Sequence, residues 1–178
     1  EADQHYTERL VRLPGLQTCY ERPTVSEGAA RRDHFPLPAE MHWYGCPQTL
    51  FKFHPDFDPL LAGILRQDPR GILVMLEGKY PDWTEQLRAR WQRTMPDVLD
   101  RVHFLRALPR EQFVALSAVC DVMLDPLHFG GGNTTLEALA MGTPVITWPT
   151  EFLRARLAQG MLRHIGWDEG VAASGEEF

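Results

Sequence analysis

The sequence predicts an α/β domain with a Rossmann-like parallel sheet and helices on both of its faces. Short apolar runs of strand length, such as GILVMLEG at 71–78, alternate with segments that have helical periodicity. Such alternation is typical of βαβ units, in which each strand is buried on both sides and therefore reads as nearly continuously apolar. The 178 residues favour a single domain with room for a hydrophobic core.

Five strands are predicted, because five short runs rich in β-branched, aromatic or other apolar residues are each bounded by Gly, Pro or Asp. In chain order they are MHWYG (41–45), GILVMLEG (71–78), RVHFL (101–105), DVMLD (121–125) and PVITW (144–148). GVAAS at 170–174 is expected to add a last short strand.

The segments between the strands carry apolar residues at helical spacing and begin with helix-start residues. Asp58 is expected to cap the first helix, with Pro59 at its first position. The predicted helices are 54–69, 82–95, 109–120, 134–141 and 151–166, and SGEEF from Ser174 is expected to open another.

Composition limits the classes of function. A net charge of −6 argues against nucleic-acid binding, and no apolar run approaches the roughly 18 residues of a membrane span. Three widely spaced cysteines suggest a reducing cytoplasm rather than a disulfide framework. Residues 1–40, rich in Arg, Glu and Pro, are predicted to be a linker or arm. Residues 41–178 are predicted to be the folded domain that carries the ligand-binding site. The N-terminus has no initiator Met and is expected to be a boundary within a longer protein.

The most informative stretch is DPLHFGGGNTTLEALAMGTPVITWP at 125–149, where three glycines run directly into a helix start. Gly130, Gly131 and Gly132 allow positive φ and close approach to the backbone, and a helix N-terminus favours an anion such as a diphosphate. The alternative needs no ligand, because Thr134 and Glu137 have the T-x-x-E spacing of a capping box. Glu137 could instead accept hydrogen bonds from a ribose diol.

Polar residues after other strands could complete such a site, because ligands bind beyond the carboxyl ends of parallel strands. Lys52 could neutralise a leaving diphosphate, or be an ordinary surface lysine. Gln48 and Thr49 could supply neutral donors, or merely cap a turn. Arg110 stands at a helix start, where the dipole disfavours a cation, which hints at a ligand or an acidic partner.

The seven histidines show no metal-ligand spacing, so no metal site is predicted. His128 is the only histidine in the glycine loop. It is interpreted first as a loop residue and second as a substrate contact.

These motifs together resemble a known family. YGCPQTLFKFHPDFDPLLAGILRQDPRGILVML, RVHFLRALPREQF and CDVMLDPLHFGGGNTTLEALAMGTPVITWP follow one another as in the C-terminal, donor-binding half of the O-GlcNAc transferase family, which includes plant and bacterial relatives linked to tetratricopeptide repeats. The resemblance runs from about Met41 to the end. HYTERLVRLPG resembles the segment that joins the two catalytic lobes of that family.

The resemblance implies a GT-B glycosyltransferase that is inverting, needs no metal or other cofactor, and transfers a sugar from a nucleoside diphosphate to Ser or Thr of proteins. UDP-N-acetylglucosamine (UDP-GlcNAc) is the expected donor. It implies that Lys52 contacts the diphosphate as the catalytic residue and that Arg110 lies beside the base. The implied donor-binding residues are Gln48, Thr49, Leu108, Arg110, Gly131, Gly132, Asn133, Thr134, Thr135 and Glu137.

Departures from the family pattern leave alternatives open. Asn133 stands where animal members have a histidine, Glu137 where they have an aspartate, and Phe113 where they have a histidine near the base. GDP-fucose is therefore an alternative donor, and a non-catalytic nucleotide-sugar-binding module an alternative function. The N-terminal lobe, where the protein acceptor is expected to bind, is not among these residues, so the domain alone is expected to be inactive.

Overall fold

A computed structural model describes residues 2–12 and 14–178 of the chain; Glu1 and Leu13, both in the predicted arm, lie outside the described residues. Five parallel strands form one sheet in the order β3-β2-β1-β4-β5. They are β1 (His42–Gly45), β2 (Gly71–Leu76), β3 (Val102–Leu105), β4 (Val122–Leu124) and β5 (Val145–Ile146). The fold class predicted from the alternation is confirmed.

Helices cover both faces of this sheet. They are α1 (Asp58–Gln67), α2 (Pro81–Thr94), α3 (Arg110–Val119), α4 (Asn133–Ala140) and α5 (Leu157–His164). Each face of the sheet carries one core layer. The buried helical residues of one layer come from α1 and α2, and those of the other come from α3, α4 and α5.

Strand β2 shows why the apolar run 71–78 is continuous. Leu73 and Met75 are buried in the layer beneath α1 and α2, whereas Ile72 and Val74 are buried in the opposite layer. Successive side chains of a strand point to opposite faces, so a strand between two helical layers must be apolar at every position.

Helix α1 begins differently from the prediction. A 3₁₀ turn at Pro55–Phe57 precedes it, Phe57 is the N-cap, and Asp58 is the first helical residue with Pro59 next. The prediction that Asp58 caps this helix is wrong. Its buried carboxylate accepts tertiary hydrogen bonds instead, from Arg90, Trp91 Nε1 and Thr94 Oγ1 of α2.

The C-terminal predictions also need correction. Residues 151–166 form a 3₁₀ turn (Leu153–Ala155) followed by the short α5, not one helix. The predicted strand at 170–174 is reduced to a single bridge between Thr147 and Val171, and residues 175–177 form a turn rather than opening a helix. In the described chain, no helix has the length and apolar character that crossing a membrane requires.

The predicted arm is partly anchored to the domain. Phe35 is buried with its ring edge-to-face on Trp43 of β1, at 6.1 Å between centroids. Arg32 ion-pairs with Asp121 at 2.6 Å, and Trp43 Nε1 donates to the Pro38 carbonyl at 2.9 Å. Residues 32–38 therefore cover one face of β1.

Candidate functional site

The strand order reverses between β1 and β4. From β1 the chain proceeds to β2 and β3 on one side, and from β4 to β5 on the other. The loops leaving neighbouring strands diverge at such a switch point, and they open a crevice where α/β proteins bind ligands. Residues 46–57 follow β1 and residues 125–132 follow β4, so two of the loops singled out in the sequence form the two sides of this crevice.

The three glycines of the loop are required by close packing and not by positive φ. A Cβ on Gly130 would lie 2.5 Å from Asp125 Oδ2, and one on Gly131 would lie 2.6 Å from the hydroxyl oxygens of both Thr134 and Thr135. None of these glycines has a positive φ; in the described chain positive φ occurs at four other glycines and, within this loop, at His128. The expectation that this loop needs glycine for its φ angles is therefore wrong, whereas the expectation that something approaches its backbone closely is met by the protein's own side chains.

Gly130→Ala is accordingly expected to destabilise the domain by about 1–3 kcal/mol, the usual cost of overpacking a buried site. The buried Asp125 side chain is held by two hydrogen bonds and cannot move aside without breaking them. Urea unfolding measures the change. Gly63→Ala in α1 is the matched control, because no atom lies within 4 Å of the added methyl; it should stabilise by roughly 0.5–1 kcal/mol. Equal stability of Gly130→Ala and wild type would contradict the packing account.

Helix α4 starts without the capping box that T-x-x-E suggested. Its N-cap is Gly132, no side chain caps it, and Glu137 is the fifth helical residue rather than the third. Thr134 Oγ1 accepts a hydrogen bond from Gln48 Nε2 at 2.6 Å instead. The first-turn N–H groups therefore have no side-chain acceptor, which is the state that an anion at a helix N-terminus uses.

Lys52 connects the two loops. It sits in a 3₁₀ turn (Leu50–Lys52), and its Nζ donates to Gln48 Oε1 at 2.8 Å and to the Gly130 carbonyl at 3.0 Å. Gln48 in turn donates to Thr134, so one chain of hydrogen bonds runs from the lysine to the start of α4. Burial lowers the pKa of Lys52, and the nearby charge of Asp125 opposes that shift. The structure thus joins Gln48 and Lys52, from the loop after β1, to Thr134 at the end of the glycine loop.

Asp125 is a part of the site that sequence analysis missed. It is 3% exposed, its Oδ1 accepts from the Gly131 amide at 2.6 Å, and its Oδ2 accepts from Thr147 Oγ1 at 2.8 Å. Burial raises the pKa of its carboxyl to about 6, against the opposing effects of those two hydrogen bonds and of Lys52. It forms the floor of the glycine loop. The only signal in the sequence was its place directly after a strand.

Glu137 and Arg110 form a second polar group on the α3 side of the same helix start. Glu137 is 6% exposed, and its Oε1 accepts from Tyr20 Oη at 2.9 Å. Arg110 donates to Tyr20 Oη at 3.0 Å and lies 3.5 Å from Glu137 Oε1. The hydrogen bond to Glu137 raises the pKa of Tyr20. Arg110 therefore has the acidic partner that its position suggested. Nothing in the sequence pointed to Tyr20, which lies 117 residues from Glu137.

The remaining predicted residues lie at the rim. Thr49 is exposed, and with Gln48 it lines a cavity of about 460 Å³ between the ends of β1 and β2. Asn133 is exposed at the first position of α4. Leu108 is half-buried and packs on the core layer beneath α3. The structure joins none of these three side chains to the Lys52 or Glu137 groups by a hydrogen bond.

Aromatic rings border Lys52 on its open side. The Phe129 ring centroid lies 4.9 Å from Lys52 Nζ, and the Phe51 ring lies 5.7 Å from that of Phe129. Phe51 is 61% exposed and Phe129 38% exposed. A cation that is partly desolvated by aromatic rings and stands beside a helix start without a side-chain cap can hold and stabilise an anionic group.

The doubly covered parallel sheet and this crevice define a Rossmann-like domain with a lysine and an uncapped helix start at its switch point. The model of glycosyl transferase family 41 matches residues 18–178. The chain belongs to that family, and its fold is that of the C-terminal lobe of a GT-B glycosyltransferase.

Similar proteins agree with this assignment. The UDP-N-acetylglucosamine–peptide N-acetylglucosaminyltransferase of Giardia intestinalis is 26% identical over 97% of this chain and 12% of its own length. That of Caenorhabditis elegans is 29% identical over 83% of this chain and 13% of its own length. The structure of a lysine-to-methionine mutant of the O-GlcNAc transferase from Thermobaculum terrenum has a TM-score of 0.77 and 30% identity, over 98% of this chain and 33% of that one. The chain thus spans about an eighth of the length of these two curated relatives.

Proposed function

We propose that this domain binds the nucleotide-sugar donor of an inverting glycosyltransferase that transfers N-acetylglucosamine from UDP-GlcNAc to Ser or Thr of proteins. One observation carries the proposal: Lys52, Gln48 and Thr134 are linked by hydrogen bonds of 2.8 and 2.6 Å across the switch point, directly at an uncapped helix start. A diphosphate needs these groups together, because the cation and the helix N–H groups must face the same anion.

Different residues of the domain would contact different parts of the donor. Lys52 would leave the Gly130 carbonyl to contact the diphosphate, and would stabilise the charge that grows on it as the sugar departs. The Gly132 amide and the hydroxyls of Thr134 and Thr135 would bind the phosphate oxygens. Gly131, whose amide donates to Asp125, would let them approach because it has no side chain. Asn133, Thr49 and Leu108 lie at the rim, where the sugar and the base would reach.

Glu137 is proposed to bind the ribose. Tyr20 occupies its Oε1, and Arg110 stands beside the same oxygen, so Oε2 is the oxygen that the ribose hydroxyls would use. Arg110, 68% exposed, is then free to lie along the base. This arrangement uses the buried carboxylate as a fixed acceptor, which is how acidic residues serve in dinucleotide-binding folds.

The names of the curated relatives favour UDP-GlcNAc over GDP-fucose. The transfer is proposed to need no metal, since Lys52 and helix α4 supply the positive charge. The protein acceptor is proposed to bind through an N-terminal lobe. The reaction is placed in the cytoplasm, in keeping with three cysteines that are all free thiols.

Titration with UDP by calorimetry tests the proposal. Wild type should bind UDP, and Glu137→Gln should bind it about 5–30-fold more weakly, or about 1–2 kcal/mol, the scale of a hydrogen bond to a charged group. Thermal stability should change little, because the glutamine oxygen can still accept from Tyr20.

UDP that lacks both ribose hydroxyls separates ribose binding from a general weakening. It should bind wild type and Glu137→Gln about equally, since the partner hydroxyls are gone. Glu85→Gln, at an exposed position of α2, should bind UDP like wild type. Undiminished UDP binding by Glu137→Gln would remove the ribose role, and an absence of UDP binding by wild type would refute the donor site.

A further inference from the structure

Two histidines and an aspartate converge at the outer end of the two crevice loops. His54 and Asp56 follow Lys52, and His128 belongs to the glycine loop. Asp56 Oδ2 lies 3.2 Å from His54 Nδ1 and 3.0 Å from His128 Nε2. One ligand atom from each of the three residues lies within 4.8 Å of the others. The two imidazole rings meet edge to face at 4.8 Å between centroids.

This arrangement has the composition and spacing of a first-row transition-metal site. Ligand atoms about 2.0–2.1 Å from a tetrahedral Zn²⁺ are separated by roughly 3.3 Å, close to both His–Asp distances. Two imidazole nitrogens and one carboxylate oxygen suit Zn²⁺, with water as the fourth ligand. We propose that His54, Asp56 and His128 bind a Zn²⁺-class ion, which joins the loop after β1 to the loop after β4.

The local structure does not otherwise require the three residues to meet. Their side chains are 52%, 61% and 36% exposed, and ion pairs so open to water contribute little to stability. His54 Nδ1 also accepts from the Asp56 amide, but at 3.3 Å, a long bond that an ion would replace. His128 has a φ of 65°, which non-glycine residues seldom adopt.

The loop around His128 is held in position from its other side. Arg154 Nε donates to the His128 carbonyl at 2.9 Å, and the Gly130 amide donates to the Arg154 carbonyl at 2.9 Å. The imidazole of His128 is thereby directed across the crevice rim to Asp56, 72 residues earlier in the chain. Sequence analysis predicted no metal because it could consider only local spacing.

The ion would connect the two loops and would take no part in the reaction. Lys52 already connects the same two loops through its bond to the Gly130 carbonyl, and the metal would make a second connection two to four residues further out. The three ligands meet only in the folded domain, so an ion that binds them there and not in the unfolded chain should stabilise the folded state. This proposal does not depend on the donor-binding function.

Calorimetric titration of the chelator-treated protein with Zn²⁺ alone tests the site. A Cys19→Ser background removes the one exposed thiol, since the other two cysteines are buried. We expect one Zn²⁺ per chain and a higher unfolding temperature when Zn²⁺ is present. Asp56→Asn, His54→Gln and His128→Asn should each weaken binding by at least about 10-fold, as loss of a ligand or its support does. Asparagine at position 128 tolerates the positive φ, so that variant should keep its fold.

His164→Gln is the matched control, because His164 is exposed at the end of α5 and belongs to no such cluster. It should bind Zn²⁺ like the background protein. Circular dichroism establishes that each variant is folded. Absence of saturable Zn²⁺ binding by the background protein would overturn the proposal. Retention of full affinity by the folded Asp56→Asn and His128→Asn variants would overturn it equally.

Discussion

Lys52→Ala in the complete glycosyltransferase is expected to lower kcat by about 10²–10³-fold, with a smaller rise in KM. The magnitude is that of removing one preorganised group that stabilises developing charge. Lys52 Nζ lies in the crevice, partly desolvated, with two hydrogen bonds and an aromatic ring around it. In the proposed transfer, negative charge on the diphosphate grows in the transition state, so the ammonium would contribute more there than in the ground state. Initial-rate kinetics with varied donor concentration measure both constants.

The chain contains one other lysine, which provides the matched control. Lys79 is exposed, with its Nζ 5.5 Å from the centre of the Tyr80 ring, and Lys79→Ala should leave kcat near the wild-type value. Circular dichroism and thermal unfolding establish that the Lys52 variant is folded. Turnover at the wild-type rate in folded Lys52→Ala would remove the lysine from the mechanism. A rise in KM alone would make it a ground-state binding residue.

Asp125→Asn is expected to make the domain more stable than wild type at neutral pH, and the gain should shrink as the pH falls to about 4. Burial raises the pKa of the Asp125 carboxyl from 3.8 to about 6, so the folded wild type holds this proton more tightly than the unfolded chain does. Between these two pKa values the folded state binds more protons, and stability decreases as pH rises. Protonation of Asp125 stabilises the folded state fully below the pKa that this carboxyl has in the unfolded chain. That stabilisation is lost as the pH rises past its pKa in the folded state.

The rise of the Asp125 pKa from 3.8 to about 6 sets the size of the gain. At neutral pH the free energy of unfolding of Asp125→Asn should exceed that of wild type by roughly 3 kcal/mol. Asparagine is uncharged and keeps an oxygen that can accept from the Gly131 amide, so it avoids the buried charge without losing the loop contact. Urea unfolding of both proteins at several pH values measures the difference.

Asp100→Asn serves as the control, because Asp100 is exposed in the turn before β3 and folding does not bury it. Its free energy of unfolding should stay close to that of wild type, as for most exposed substitutions. A stability difference between Asp125→Asn and wild type that is the same at every pH would show that burial of this carboxylate carries no penalty.

The sequence alone determined the fold class and most elements, since these depend on properties that repeat along the chain. The apolar run 71–78 predicts a strand covered on both faces, and the spacing in 82–95 predicts an amphipathic helix, which spans Pro81–Thr94. The sequence also located the main pieces of the candidate site. The carboxyl ends of parallel strands share one edge of the sheet, so Lys52 and the glycine loop were expected at the same edge.

Only the tertiary structure decided what these residues contact. T-x-x-E fits a capping box locally, but Gln48 takes the Thr134 hydroxyl and Tyr20 takes the Glu137 carboxylate. Asp58 fits an N-cap, but α2 brings Arg90 to its carboxylate. In each case a partner distant in sequence satisfied a group that local rules had assigned to its neighbours.

The same limit explains the residues that sequence reasoning did not select. Asp125 matters because it is buried beneath a loop that turns back over it. The spacing of residues along the chain does not predict this burial. The His54, Asp56 and His128 cluster exists because two loops 72 residues apart leave adjacent parallel strands at the same edge of the sheet. Periodicity reports how each segment lies against the core, but which side chains meet across the crevice depends on strand order, which is fixed only when the whole sheet has formed.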